Sequence, residues 1–150
     1  MPETKKATKA KSTEIWTDEE KAAMQEHAKD QKRRSGKSTD ADGLADLQAK
    51  IAEMPDADRV IAERIHAIVS KAAPGLVPRT YYGMPAWAKD GKVICFFQPK
   101  AKFKVRYNTL GFQPDAKLDD GTMWPTSWAI TKLTAADERQ IEALVKQSVG

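Results

Sequence analysis

Apolar side chains recur at two different periods along this chain, and the period changes near Pro78. Before that residue they recur every three or four positions, which is typical of helices with one buried face. After it, apolar and polar residues alternate at every second position in several short segments, as they do in strands. The order of these patterns predicts a group of helices, then a sheet, then a closing helix.

Four helices are predicted, over residues 18–34, 40–54, 55–72 and 134–148. The first is poor in apolar residues, so we expect it to pack only lightly. Thr17 and the three acidic residues that follow it have the form of a capping box, and Thr134 is expected to cap the last helix. Pro55 stands where a helix can begin. The second and third helices are therefore expected to form a hairpin against the sheet.

The strands are expected between about residues 79 and 132. Asp90-Gly91 is typical of a two-residue hairpin turn, because this pair tolerates the positive φ angles that such a turn requires. Residues 93–97 are apolar on both faces, which indicates a central strand. Residues 100–107 alternate between basic and apolar positions and are predicted to form another strand, and residues 126–132 the last one. The predicted fold class is α+β, with N-terminal helices and a C-terminal helix packed on an antiparallel β-sheet.

The composition changes this picture only at the N-terminus. A chain of 150 residues is long enough for one domain with a core and too short for two ordinary ones. Residues 1–37 are predicted to be a basic disordered tail followed by a polar helical arm, and residues 38–150 a single α+β domain. The net charge of +4 permits a polyanionic partner such as nucleic acid without requiring one.

Cysteine content and hydropathy indicate in which cellular compartment the protein is expected. Cys95 is the only cysteine, which excludes an intrachain disulfide and suggests a reducing environment. No apolar run has the length of a membrane span, and the lysine-rich start lacks the apolar segment of a signal peptide. The sequence therefore predicts a cytoplasmic protein with no membrane partner.

The residue types that most often carry catalysis show no recognisable arrangement. Neither His27 nor His66 has a second histidine or a cysteine one helical turn away, as the usual zinc sites require. Cys95 is expected to be buried in a strand with no neighbour that would lower its pKa. We therefore predict no catalytic residue, and the sequence favours a binding protein over an enzyme.

Acidic side chains on the second and third helices form the first candidate site. Their spacing could align them on one exposed ridge, where carboxylate oxygens would bind a hard cation such as iron weakly. The alternative interpretation is helix capping and solubility. The acids are Asp40, Asp42, Asp46, Asp56, Asp58 and Glu63.

The basic face of the predicted strand 100–107 is the second candidate. Four like charges at alternate positions are suited to a phosphate or carboxylate group, or to single-stranded nucleic acid. The same pattern is also typical of a solvated face or of an edge that resists aggregation. The residues are Lys100, Lys102, Lys104 and Arg106.

Large apolar side chains in and after the hairpin form the third candidate. They are expected to build a core first, and to leave a ligand pocket within it. The pocket residues would be Tyr82, Met84, Pro85, Trp87, Phe97, Tyr107, Trp124 and Trp128.

Some of these residues carry a resemblance to a known family. Tyr82-Gly83-Met84-Pro85-Ala86-Trp87, then Asp90-Gly91-Lys92-Val93, and Met123-Trp124-Pro125 further on, are similar to the hallmark of the YdhG-like family, a bacterial domain of unknown function. The resemblance extends over about residues 44–149. It implies a small cytoplasmic α+β domain. Some members are described as frataxin-like intracellular iron chaperones, so the resemblance also implies iron as a ligand and iron-recipient proteins as partners.

Three functions stay open at this point. The first is a non-enzymatic binding domain, with iron delivery as the only named role that the resemblance offers. The second is a module that binds anions or single-stranded nucleic acid through the basic face. The third is small-molecule binding, or an enzyme, at the aromatic cluster.

Overall fold

The computed structural model describes residues 16–35 and 39–150. Its helices are α1 (Asp18–Ser35), α2 (Asp40–Ala52), α3 (Asp56–Ala72), α4 (Lys100–Phe103) and α5 (Ala135–Ser148). Its strands are β1 (Val77–Tyr81), β2 (Met84–Lys89), β3 (Lys92–Gln98), β4 (Asn108–Phe112) and β5 (Ser127–Ile130). The predicted basic tail ahead of α1 and the predicted domain boundary at residues 37–38 lie outside the described ranges.

The predicted α+β class is confirmed. The five strands form one sheet in the order β1-β2-β3-β4-β5, and every neighbouring pair is antiparallel. α2 packs on β1 and β2, and α5 packs on α3. The four predicted helices and the last predicted strand all occur close to their expected positions. Within the described residues, no helix is both long enough and apolar enough to cross a membrane.

Two-residue turns join the first three strands. Asp90 and Gly91 have φ angles of 53° and 79° and connect β2 to β3, as predicted. Tyr82 and Gly83 make an equivalent turn between β1 and β2, with φ angles of 52° and 75°. A tyrosine in the left-handed region is uncommon. Tyr82 and Gly83, the first two residues of the stretch that resembles the YdhG-like family, therefore form the tip of a hairpin.

The core lies between the sheet and the helix pair α2 and α3. Leu47 and Ile65 from the helices and Trp87, Cys95 and Phe97 from the strands are buried in one cluster. Full burial of a large apolar side chain contributes about 1.5–3 kcal/mol. β3 is the third of five strands and contributes the last two of these residues, which confirms the predicted central strand.

α1 attaches to this unit mainly through polar contacts. Among its described side chains, Ala23 is the only apolar one that is buried. The helix contacts β1 and α4. The expectation that it packs lightly is therefore confirmed for its apolar face.

The predicted strand over residues 100–107 is wrong. Pro99 begins the single helical turn α4, and Lys104 ends it with a φ of 53°. Two amides at the start of this turn are held by distant side chains. Lys100 donates to the Asn108 side chain at 2.8 Å, and Ala101 donates to Asp58 at 3.1 Å. These contacts override the alternating pattern, and the strand begins only at residue 108.

Candidate functional site

A groove runs along α1, between that helix, α2 and β1. Three adjoining cavities of about 300, 260 and 360 Å³ follow one another along it. The first two share Asp30 and Asp46, and the last two share Glu26 and Lys50. We call the first the Asp30 cavity. The third, lined by Lys102, we call the Lys102 cavity.

Two residues that line the Asp30 cavity each have a buried polar atom without a partner among the described residues. Asp30 accepts a 2.6 Å hydrogen bond from Thr80 through Oδ1, whereas its Oδ2 is buried and meets no donor among the described residues. Arg79 donates from Nη1 to the Gly91 carbonyl at 3.1 Å, and its buried Nε–H finds no acceptor in the same part of the chain. An unsatisfied buried group costs about 1–3 kcal/mol. A ligand that met both atoms would recover part of that cost.

The floor of the Asp30 cavity depends on how α2 is placed. A capping box fixes the start of α2: Thr39 accepts from the Asp42 amide at 3.2 Å, and its own amide donates to the Asp42 carboxylate at 2.9 Å. Gly43 then packs directly on β1, so closely that a Cβ at this position would collide with the Pro78 carbonyl oxygen. Glycine thus allows α2 to approach the strand closely.

Glu26 lies in the middle of the groove and bridges two lysines. Its Oε1 accepts from Lys50 at 2.9 Å, and its Oε2 accepts from Lys102 at 2.5 Å. Burial alone would raise the pKa of Glu26, but the hydrogen bonds from Lys102 and Lys50 outweigh it and lower the pKa. Lys102 also donates to the Gly83 carbonyl at 3.0 Å. α1, α2, α4 and the first hairpin therefore meet at this carboxylate.

The hairpin tip also contacts α1 through aromatic rings. His27 stacks on Tyr82 with centroids 3.9 Å apart, and Tyr81 meets both rings edge-on. Burial, and then the neighbouring Tyr82, raise the pKa of Tyr81, whose hydroxyl accepts a 3.3 Å hydrogen bond from Gln113. These rings fix the position of α1 against the sheet.

The residues of the predicted aromatic pocket lie in different parts of the fold. Trp87 and Phe97 are fully buried in the core, while Tyr82 stands at the hairpin tip. Trp128 packs edge-on against Phe112 and lines a cavity of about 270 Å³ beside α5. Met84 and Pro85 are buried in β2, Trp124 is packed against the core, and Tyr107 lies under the Arg106 guanidinium. A pocket shared by all eight stays a prediction.

The basic residues at 100–106 do not lie on a strand, so the shared strand face inferred for them is wrong. Three of the four contact carboxylates, and the guanidinium of Arg106 lies 5.2 Å from the ring centroid of Tyr107. Their use as one anion site stays a prediction. The ion pairs are Lys100 with Asp58 at 2.7 Å, Lys102 with Glu26 at 2.5 Å and Lys104 with Glu19 at 2.7 Å.

The six acids proposed for iron serve several roles. Asp42 belongs to the capping box, and Asp58 is buried against Lys100. Within residues 16–35 and 39–150, no group of three or more His, Cys, Asp or Glu residues is placed to hold a metal ion. Iron binding stays a prediction. Of the remaining four acids, Asp56 and Glu63 pair with Arg59, and Asp40 and Asp46 line the Asp30 cavity.

Two residues with shifted pKa values lie outside the groove. Burial raises the pKa of Cys95 to about 12, so the thiol is protonated at neutral pH and is a poor nucleophile. His66 accepts a 3.2 Å hydrogen bond from Trp87 through Nδ1, and burial lowers its pKa. The indole nitrogen can only donate, so this contact requires the neutral imidazole. Cys95 belongs to the core, and the partly buried His66 packs against its edge through Trp87.

The apolar pattern of the sequence does not identify three residues of the groove: Glu26, Asp30 and Arg79. Glu26 and Asp30 follow Ala23 at spacings of three and seven, which places Ala23, Glu26 and Asp30 on one face of α1. That face turns inward, although two of the three residues are charged. The spacing of Glu26 and Asp30 from Ala23 shows in the sequence that they share a face, but it does not show that this face turns inward.

No family model, no curated protein and no solved structure matches this chain. The resemblance to the YdhG-like family therefore stays a prediction. The geometry of the groove is therefore the basis for a functional proposal.

Proposed function

We propose that this domain binds a small polar molecule in the Asp30 cavity. The observation that carries the proposal is the pair of buried atoms, Asp30 Oδ2 and Arg79 Nε, that lack partners among the described residues. Native structures satisfy the great majority of buried polar groups. One unpaired acceptor and one unpaired donor, on two residues that line the same cavity, are suited to a ligand that carries both complementary groups.

The charges of the cavity favour a ligand with a cationic group. Among the described residues, its lining includes the carboxylates of Asp30 and Asp40 and the guanidinium of Arg79. The excess of carboxylates attracts a cation, and the Nε–H of Arg79 requires an acceptor. The ligand class is therefore a small organic ammonium that also carries a hydroxyl or carbonyl oxygen. The volume, about 300 Å³, is at the lower end of the range for small-molecule sites.

Two of the three functions that the sequence left open, iron delivery and nucleic-acid binding, have less support from the geometry. Iron delivery rested on acids of which four are engaged in capping or ion pairs. Nucleic-acid binding rested on a strand at residues 100–107 that is a helical turn followed by irregular chain. We keep the cytoplasm as the expected compartment. The proposal assigns binding and no catalytic step.

Calorimetric titration of the full chain with ethanolamine, glycinamide and putrescine tests the proposal. We expect the two probes that carry an oxygen, ethanolamine and glycinamide, to bind more tightly than putrescine. Asp30→Asn should weaken their binding by about tenfold or more, because a hydrogen bond to a charged group contributes about 1.5–3 kcal/mol. Arg79→Lys should also weaken them, since a lysine cannot place a donor at the Nε position.

Asp56→Asn is the matched control, because it removes the same charge from an exposed site on α3. It should leave the affinity for each probe unchanged. Equal affinity of the wild type and Asp30→Asn for every probe would contradict the proposal. So would an equal loss in Asp56→Asn, which would indicate a response to net charge alone.

A further inference from the structure

We propose that Lys50 and Lys102 form a second binding site, for the anionic group of a small organic acid or phosphate ester, and that Glu26 fills this site in the structure. The site lies in the Lys102 cavity, at the other end of the groove from the Asp30 cavity. It takes a ligand of opposite charge and does not depend on the function proposed above.

Two ammonium groups from different elements converge on one anionic group. Lys50 of α2 and Lys102 of α4 each donate to one oxygen of the Glu26 carboxylate, at 2.9 and 2.5 Å. The Gly83 carbonyl holds Lys102 in place from behind, at 3.0 Å. Both lysine side chains are only about a quarter exposed, at 26% and 28%. Partial exclusion of water strengthens their attraction for an anion, and paired lysines bind phosphate and carboxylate as point charges.

The rest of the Lys102 cavity offers an apolar wall. Its volume is about 360 Å³, more than the Glu26 carboxylate requires. The other acid of the lining, Glu53, pairs with Lys50 at 3.4 Å, but its side chain is 66% exposed and lies at the rim. A ligand with an anionic head and a short carbon portion therefore fits the cavity. The wall consists of Met54, Pro55, Pro99 and Ala101.

Glu26 can be replaced because its helix is weakly anchored by apolar contacts. Ala23 is the only buried apolar side chain among those described on α1. The remaining anchors are the stacked rings of His27 and Tyr82 and polar contacts such as the Asp30–Thr80 hydrogen bond and the Lys104–Glu19 ion pair. A tethered carboxylate acts as an intramolecular competitor, with an effective concentration on the order of millimolar. It lowers the apparent affinity for any free anion, and its removal should reveal the site.

The test compares Glu26→Ala with Glu53→Ala in the full chain, using phenyl phosphate and benzoate as probes. Both variants change the net charge equally, and each removes one carboxylate from Lys50. We expect Glu26→Ala to bind one or both probes at least tenfold more tightly than Glu53→Ala and the wild type do. Adding Lys102→Met to Glu26→Ala should abolish that gain. Whichever probe binds identifies the head group as phosphate or carboxylate.

Equal affinities of Glu26→Ala and Glu53→Ala for both probes would overturn the proposal, and so would a gain that survives Lys102→Met. Where Glu26→Ala does not fold, hydrogen exchange of the wild type decides. Phenyl phosphate should accelerate exchange of the α1 amides more than sodium chloride at the same ionic strength does, because it displaces Glu26. Exchange rates that are equal in the two salts would then overturn it.

Discussion

Removal of the Asp58 carboxylate should destabilise the domain strongly. The residue is 1% exposed, and it accepts from the Lys100 ammonium at 2.7 Å and from the Ala101 amide at 3.1 Å. These contacts join the first turn of α3 to the first turn of α4. The two pairs of residues are separated by 42 and 43 positions in the sequence. Asp58→Ala leaves both donors without their acceptor.

The structure sets the size of the effect. Hydrogen bonds to a charged group contribute about 1.5–3 kcal/mol each, and removing one partner of a fully buried ion pair costs about 3–5 kcal/mol. The Lys100 side chain is 37% exposed, so water replaces part of its lost contact. We therefore expect Asp58→Ala to lower the free energy of unfolding by about 2–4 kcal/mol.

Urea denaturation followed by tryptophan fluorescence measures this loss, and Asp56→Ala is the control. Asp56 lies in the same first turn of α3, so both variants lose the same favourable charge near the helix N-terminus. Its side chain is 91% exposed and pairs with Arg59, and such surface pairs contribute about 0–1 kcal/mol. A difference of less than about 1 kcal/mol between the two variants would refute the reasoning, because it would leave no role for burial.

Two further predictions concern the hairpin tip and the partly buried His66. Gly83 and Gly121 both have positive φ, 75° and 68°, but a Cβ would collide with Glu26 and Lys102 only at Gly83. Gly121→Ala should cost about 1–2 kcal/mol and Gly83→Ala up to about 1 kcal/mol more in urea denaturation, because the shift would disturb the Glu26–Lys102 ion pair, and equal costs would contradict this. Burial lowers the pKa of His66 from 6.5, so below pH 6.5 the unfolded chain binds more protons at this residue than the folded protein does. The stability that the neutral form supplies is present above pH 6.5 and is lost as the pH falls toward the lower folded-state pKa. The corresponding slope in urea denaturation should disappear in His66→Gln and remain in His27→Gln, and a slope unchanged in His66→Gln would contradict the assignment.

The parts of the fold that depend on near neighbours in sequence were predictable. The Asp90-Gly91 turn requires only the backbone freedom of two residues. The capping box of Thr134 closes with Asp137, three positions on. The apolar stripes of α2 and α3 repeat within a few helical turns. Each of these signals is complete within a short segment, so the sequence alone contains it.

The parts that depend on distant contacts were not predictable. The alternation at residues 100–107 indicates a strand, but Asp58 draws the same residues into a helical turn from another element. The Asp30 cavity likewise depends on Thr80, which lies 50 positions from Asp30 in sequence. An inward polar face such as that of α1 cannot be recognised by hydrophobicity, because its partners are known only once the fold is known.

Each strand after β1 pairs with the strand that immediately precedes it in the chain. Such local pairing gives a low contact order and favours rapid folding. During synthesis, β1 to β4 are complete at Phe112, before β5 and α5 leave the ribosome. The sheet can therefore begin to assemble while α3 still lacks the helix that packs against it. The nascent domain exposes that surface of α3 until α5 emerges.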